Sequence, residues 1–157
     1  MFLTTEEMKD VLYGYQMNEI ADGDDEIIDS GILSGVSEVK AYFTASSQKQ
    51  WSDGRPRYDV DQIFGATGDA RNPWILRMCK TVAAWNICEL AHVDMIYDQV
   101  KERYLNVIKT LEKIAGIGDY KDSPTLTPDL PTIAPDPEID NNPKPFRYGS
   151  RTKFNHE

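Results

Sequence analysis

The sequence predicts a mainly α-helical protein: a bundle of about four helices with a long loop or short hairpin insertion and an extended, proline-rich C-terminal arm. Two observations carry this prediction. In residues 1–118 apolar side chains recur at steps of three or four, the spacing of helices with one buried face. Residues 121–157 hold seven of the nine prolines and few large aliphatic side chains. We therefore expect a helical domain over 1–118 and an arm over 119–157.

The first helix is predicted by a capping box, in which Thr4 precedes Glu7 by three residues. This signal favours a helix over residues 5–13. Gly14 should interrupt it, because glycine has a low helix propensity, and residues 15–21 should form a short turn or helical turn.

The second helix should span residues 24–46, because its apolar residues fall on one face. These residues are Ile28, Ile32, Val36, Val39 and Phe43. Gly31 and Gly35 lie four residues apart in the same helix. They should let another backbone approach closely, since glycine has no side chain to keep it away.

Residues 47–72 lose the helical period and are rich in turn-forming residues. A loop of about 25 residues is long for a compact domain and is usually functional, although a short hairpin would also fit. Trp51 lies close to Arg55 and Arg57, and Trp and Arg are enriched at binding hot spots. We expect these three residues to bind a partner; the alternative is a loop that folds Trp51 back onto the helices.

Asn72 and Pro73 supply an N-cap and a first-turn proline for the most apolar helix, which should run through Leu90 and lie at the centre. Trp74 and Trp85 are expected in its core or helix–helix contacts.

A last helix should begin after Asp94, as its cap, and end at Gly116. Its apolar stripe lies opposite a charged face. The stripe consists of Ile96, Val100, Tyr104, Val107, Leu111 and Ile114.

No catalytic or metal-binding motif stands out. Residues 22–26 are rich in carboxylates, but a calcium-loop count from Asp22 places Ile27 at the turn glycine and Leu33 at the bidentate glutamate. The carboxylates are therefore interpreted as favourable charges in a first helical turn. Residues 65–68 lack the Lys-Ser/Thr ending of a phosphate-binding loop. We expect a protein that is not an enzyme and holds no cofactor or metal.

Cys79 and Cys88 lie nine residues apart in one predicted helix, on opposite faces and too far apart to bond to each other. They are interpreted as buried, reduced thiols. The N-terminus lacks the basic and apolar regions of a signal peptide, and no apolar run reaches the roughly 18 residues of a membrane span. We therefore expect no export and no membrane partner.

The net charge of −9 is unevenly distributed. Residues 1–40 hold ten acidic side chains and two lysines, whereas residues 41–120 hold ten of each sign. The acidic net charge argues against nucleic-acid binding by the domain as a whole, because phosphate contacts need clustered Lys and Arg.

The arm has two parts of opposite charge. Residues 122–140 carry five acids, no Lys or Arg, and five prolines, which favours an extended, solvated spacer. Residues 144–154 combine four cations with three aromatic side chains and are typical of an anchor that orders on a partner. Its predicted partner-binding residues are Phe146, Arg147, Tyr148, Arg151 and Phe154. Contact between the basic arm of one copy and the acidic end of another is electrostatically favourable; the alternative is a solubilising tail.

A set of these features resembles the small tailed-phage proteins of the Mu-like head-tail joining family. The resemblance rests on the run from Tyr58 to Pro73, on Cys79-Lys80, and on the stretch from Asp94 to Tyr104 with the amphipathic helix that follows. The opening Thr-Glu-Glu-Met and the acidic turn before the second helix also fit. It covers about residues 1–118 and does not extend to the arm.

The resemblance implies a virion structural protein: a head-tail connector, also called an adaptor or head-completion protein. Such proteins form a ring under the portal in its twelvefold symmetry, and no catalytic residues carry over. The implied partners are the portal protein, neighbouring copies, a tail or second-ring protein, and DNA passing non-specifically through the lumen. The implied location is the virion neck, with assembly in the host cytoplasm. The alternative is a small phage or prophage interaction module, monomeric or dimeric, with the arm as a peptide ligand.

Overall fold

The computed structural model describes residues 2–47, 56–91, 97–120 and 126–133. Within them 74% of the residues are helical and no strand is present, which confirms the mainly α prediction. The elements are a 3-10 helix Thr5–Asp10, α1 Gly14–Ile20, α2 Asp25–Ser47, α3 Val60–Gly65, a 3-10 helix Gly68–Ala70, α4 Pro73–Leu90, α5 Tyr97–Ala115 and a 3-10 helix Gly118–Tyr120. None of these described helices is both long enough and apolar enough to cross a membrane.

Helices α2 and α4 form the closest pair in the core. A Cβ atom built on Gly35 would lie 2.6 Å from Cα of Ala83, and one built on Gly31 would lie 2.5 Å from Cγ1 of Ile87. The two glycines therefore allow the close backbone approach that their spacing predicts. Because the later glycine faces the earlier residue of α4, the two helices run antiparallel.

Helix α4 is central, as its apolar sequence predicts. The Asn72 side chain accepts hydrogen bonds from the main-chain N–H groups of Trp74 (2.9 Å) and Ile75 (3.2 Å), which confirms the predicted N-cap. Trp85 is buried and stacks on Tyr104 of α5, with ring centroids 5.1 Å apart. Leu90 differs from the predicted buried pattern and is exposed, because it lies in the last turn of the helix.

Both cysteines of α4 are buried and free, as predicted. Burial raises the pKa of the Cys79 thiol to about 12 and raises that of Cys88. Both side chains therefore behave as small apolar core residues rather than reactive thiols.

The N-terminal segment differs from the predicted helix over residues 5–13. It is a 3-10 helix that ends at Asp10, and Gly14 begins α1 instead of merely interrupting a helix. The chain turns at residues 11–13, where Leu12 is buried, and Met17 of α1 is buried as well. Helix α1 confirms the predicted short helical turn after the break, whereas the preceding helix ends three residues earlier than predicted.

The predicted loop over residues 47–72 contains a helix that the sequence reasoning missed. Helix α3 is capped by Asp59, whose carboxylate accepts a hydrogen bond from the Gln62 N–H at 2.9 Å, and it buries Val60 and Ile63. Six residues are too short to display a helical period. The described part of the loop contains no hairpin, because Tyr58 pairs in an isolated antiparallel bridge with Thr132 of the arm. Residues 48–55 lie outside the description.

Helix α5 agrees with the predicted stripe over its described length. Val100, Leu111 and Ile114 are buried, while Tyr104 and Val107 are half-buried. Gly116 follows with φ of +61°, and its N–H donates to the carbonyl of Glu112 at 2.7 Å, which confirms the predicted glycine C-cap. The proposed cap Asp94 and the stripe residue Ile96 lie outside the described residues.

Candidate functional site

The first candidate surface is the arm anchor, the place where residues 128–133 of the arm bind residues 57–59. The main-chain N–H of Asp59 donates to the carbonyl of Pro131 at 2.9 Å, and that of Ile133 donates to the carbonyl of Arg57 at 2.7 Å. The Tyr58 hydroxyl donates to the carbonyl of Pro128 at 3.4 Å. Leu130 is only 7% exposed.

The arm anchor corrects the expectation of a solvated spacer for residues 126–133. Proline residues hold the segment extended at little entropic cost, and a proline carbonyl still accepts a hydrogen bond. Burial of the Leu130 side chain stabilises the contact, because it removes apolar surface from water. Leu130 belongs to the same apolar cluster as Tyr58, which is 1% exposed. The arm is therefore fixed to the domain near its start, and residues 134–157 follow from that fixed point.

The arm anchor lies at the end of the bundle where α2 finishes and α4 begins. The Tyr58 ring packs edge-on against Phe43 of α2, with centroids 5.5 Å apart. Arg71, just before α4, closes the same end by binding the N-terminal segment. Its guanidinium donates to the carbonyl of Phe2 at 2.6 Å, to the carbonyl of Gly68 at 3.0 Å, and with two nitrogens to the Glu7 carboxylate.

The electrostatics of this clamp are reflected in the titration of Glu7. The Arg71 hydrogen bonds hold the pKa of the Glu7 carboxyl down at about 2, with a further contribution from Thr4. The Thr4 N–H donates to the same carboxylate at 3.1 Å, as the predicted capping box requires. The pair fixes the N-terminal segment against the start of α4.

The second candidate surface is the opposite, acidic end of the bundle. Asp22, with φ of +49°, and Gly23 turn the chain into α2, and the Asp24 carboxylate accepts a hydrogen bond from the Glu26 N–H at 2.9 Å. This supports the interpretation of these acids as N-terminal charges of a helix. No group of three metal-ligating side chains occurs among the residues that the structure describes.

Two tyrosines stand at the acidic end without being buried. Tyr13 and Tyr15 are 65% and 67% exposed, and their rings stack with centroids 5.8 Å apart. Gly14, which lies between them in sequence, lines a groove of about 510 Å³ together with Lys9, Asp25 and Asp29. The sequence reasoning missed this pair, although two tyrosines flanking a glycine at a helix start were visible. Exposed aromatic rings are suited to binding cationic side chains.

The third candidate surface is a groove between the first half of α4, the middle of α5 and the end of the N-terminal 3-10 helix. Its volume is about 870 Å³, and Trp74 and Val107 contribute apolar walls. Arg77 and Arg103 lie exposed on its two sides. Lys80 is only 8% exposed and its ammonium group lies 2.5 Å from the Asp10 carboxylate. Trp74, Lys80 and Val107 were noted in the sequence for other reasons, but the groove itself was not predicted, because its residues come together only in the fold.

A polar cluster joins α2 to α5 inside the bundle. The Glu38 carboxylate accepts hydrogen bonds from the Tyr104 hydroxyl at 2.7 Å and from the Asn86 amide at 3.5 Å. Burial, and then the neighbouring Glu38, raise the pKa of both Tyr104 and Tyr42. Both phenols therefore stay protonated, and the Tyr104 hydroxyl donates the hydrogen bond that joins α5 to α2.

Only one predicted partner-binding residue falls within the described residues. Arg57 is half-buried; its carbonyl accepts the hydrogen bond from Ile133, and its Nε has no hydrogen-bond partner within the described part of the chain. It therefore belongs to the arm anchor through its main chain. The other predicted residues lie outside the description: Trp51, Arg55, Phe146, Arg147, Tyr148, Arg151 and Phe154.

Comparison with known proteins finds no matching family model, curated protein or solved structure. The relation to head-tail joining proteins therefore stays a prediction from the residues quoted above.

Proposed function

We propose that this chain is a head-tail adaptor of a tailed phage, one subunit of a ring that joins the portal to the tail or to a second ring. The single observation that carries the proposal is the separation of two complementary features. The arm anchor lies at one end of the bundle and the acidic surface with its stacked tyrosines lies at the other. Subunits with unlike ends can join head to tail, and such contacts close into a ring when the rotation from one subunit to the next completes a full turn.

The span between the two ends suits a contact between copies. Asp25 and Phe43 bracket most of α2, so about 27 Å of helix separates the acidic end from the level of the arm anchor. Beyond Ile133, Lys144 lies within about 36 Å and Phe154 within about 70 Å at full extension. The basic, aromatic arm tip therefore reaches past the length of its own domain to a neighbouring subunit.

The acidic end offers what such a tip requires. Residues 144–154 bring four cations and three aromatic rings. The exposed rings of Tyr13 and Tyr15 supply faces for cation–π and stacking contacts, and the carboxylates around α2 supply charge. A portal in twelvefold symmetry would set the number of subunits, since free subunits need not assemble without it.

The first experiment measures assembly with the portal. The full chain is co-expressed with the portal protein of the same phage, and the complex is sized by mass photometry and imaged by negative-stain electron microscopy. We expect a ring attached to the portal. A chain that remains a monomer or dimer and does not bind the portal supports the alternative interaction module and contradicts the proposal.

The second experiment tests the arm tip and the tyrosines separately. We expect deletion of residues 141–157, or the double substitution Tyr13→Ala/Tyr15→Ala, to prevent stable attachment of the ring while the far-UV circular dichroism of the domain is unchanged. A matched control is Leu33→Ala/Leu105→Ala, which removes two exposed leucines from other faces. Unchanged co-purification of the deletion variant with the portal would contradict the role of the arm tip.

A further inference from the structure

The groove between α4 and α5 carries a net positive charge. Arg77 and Arg103 are exposed on its sides, and within the part of the chain that the structure describes neither forms an ion pair. Lys80 is neutralised by Asp10, to which it is 2.5 Å away. Three cations and one carboxylate leave the groove with a net charge of about +2 in a protein whose total charge is −9.

The walls of the groove are partly apolar. Trp74, Leu76 and Val107 line it and are half-buried, so each still shows part of its side chain to water. A volume of about 870 Å³ is enough for several residues of extended peptide. The groove therefore suits an occupant that is extended, apolar on one side and negatively charged on the other.

Residues 134–140 of the same chain have this composition. The sequence Ala-Pro-Asp-Pro-Glu-Ile-Asp carries three carboxylates and no cation. Its three carboxylates, Asp136, Glu138 and Asp140, alternate in sequence with Pro135, Pro137 and Ile139, so charged and apolar groups are available along the whole segment. Proline also reduces the conformational entropy that binding removes.

The starting point of this segment is fixed at the correct end of the molecule. Ile133 is held by its hydrogen bond to the carbonyl of Arg57. Leu130 and Asn72 line a neighbouring groove, and Asn72 directly precedes Pro73, which lines the groove between α4 and α5. A tethered segment has an effective concentration in the millimolar range, so even a weak contact is populated.

We propose that the groove between α4 and α5 binds the acidic, proline-rich residues 134–140 of the arm, with Arg77 and Arg103 pairing with the carboxylates and Trp74 packing on the prolines. The contact needs no portal, so it is independent of the adaptor function. A nucleic acid is a weaker candidate, because the long polyanion would meet the acidic charge of the rest of the chain.

The experiment is disulfide trapping in the full chain. Asn106 is exposed and lines the groove, so Asn106→Cys is combined with Ile139→Cys. The matched control combines Ile139→Cys with Ser34→Cys, an exposed site on α2 outside the groove. Under mild oxidation we expect the first disulfide to form about tenfold faster or more. Ile139→Cys alone tests the native thiols, both of which are buried.

Charge variants show whether the arginines cause the difference. Arg77→Glu with Arg103→Glu should reduce disulfide formation to the control rate, and adding Asp136→Lys with Glu138→Lys should restore it. Thermal unfolding shows whether the charge reversal disturbs folding. If it does, the double variant Arg77→Gln/Arg103→Gln repeats the test without reversing the charge. A monomeric product places the segment in its own groove, as the tether requires, whereas a predominantly dimeric product would contradict the intramolecular contact.

Two further results would overturn it. One is a trapping rate equal to that of the Ser34→Cys control. The other is an unchanged rate in both arginine double variants. If a fluorescent single-stranded oligonucleotide binds the wild-type chain, loses binding in the arginine variants, and the disulfide forms only at the control rate, the groove binds nucleic acid instead.

Discussion

Arg71 and Glu7 are separated by 64 residues in sequence, yet two nitrogens of the Arg71 guanidinium bind the two oxygens of the Glu7 carboxylate. The Arg71 side chain is only 11% exposed, so this pair is shielded from solvent. It connects the N-terminal 3-10 helix to the residues that begin α4. This ion pair holds the N-terminal segment against the start of α4.

We expect Arg71→Met to lower the free energy of unfolding by about 2–4 kcal/mol, because the Glu7 carboxylate and the Phe2 carbonyl lose charged partners in a shielded place. Urea unfolding followed by circular dichroism measures it. The control is Lys9→Met, which breaks the exposed pair with Glu6 and should cost less than about 1 kcal/mol. Equal effects of the two substitutions would contradict the role of Arg71.

The free energy of unfolding should fall at acid pH, because protonation of Glu7 removes its ion pair with Arg71. The pKa of Glu7 is about 2 in the folded protein against an ordinary value of 4.5, so the contribution of the pair is complete above pH 4.5. It is lost as the pH falls from 4.5 towards 2. Urea midpoints measured across this range should decline less steeply in Glu7→Gln than in the wild-type chain. Parallel curves would show that Glu7 does not carry the effect.

The close contact of α2 with α4 predicts a strong effect of one methyl group. Gly35→Ala places Cβ 2.6 Å from Cα and N of Ala83, and backbone atoms cannot move aside as a flexible side chain can. We expect a loss of about 1–3 kcal/mol in unfolding free energy. Gly65→Ala is the control, because nothing lies within 4 Å of its added Cβ, and it should be neutral or slightly stabilising.

The arm anchor predicts a local change without global unfolding. In the wild-type chain the Asp59 amide hydrogen should exchange slowly, because it donates to the carbonyl of Pro131. Leu130→Asp introduces a charge at a buried position and should release the segment, so this amide exchanges faster while amides of α4 keep their protection. Thr127→Asp, at an exposed position of the same segment, should leave the exchange of Asp59 unchanged.

The helices could be predicted because their signals are local. The apolar spacing of α2, the Asn72 cap of α4 and the terminal glycine of α5 each act within a few residues, and each occurs as expected. Helix α3 was missed because six residues are too short to show a period. The anchored part of the arm was missed because its polar, proline-rich composition gives no sign of the single buried Leu130.

The sequence by itself determined the helical class, the close approach at Gly31 and Gly35, and the opposite charges of the acidic end and the arm tip, since all three follow from spacing and composition. Only the tertiary structure decided that Arg71 binds Glu7, that residues 126–133 pack on the domain, and that Arg77 and Arg103 flank one groove. These contacts join residues far apart in sequence. Their partners depend on how antiparallel helices align and which side chains lose water together, and no local pattern encodes that alignment.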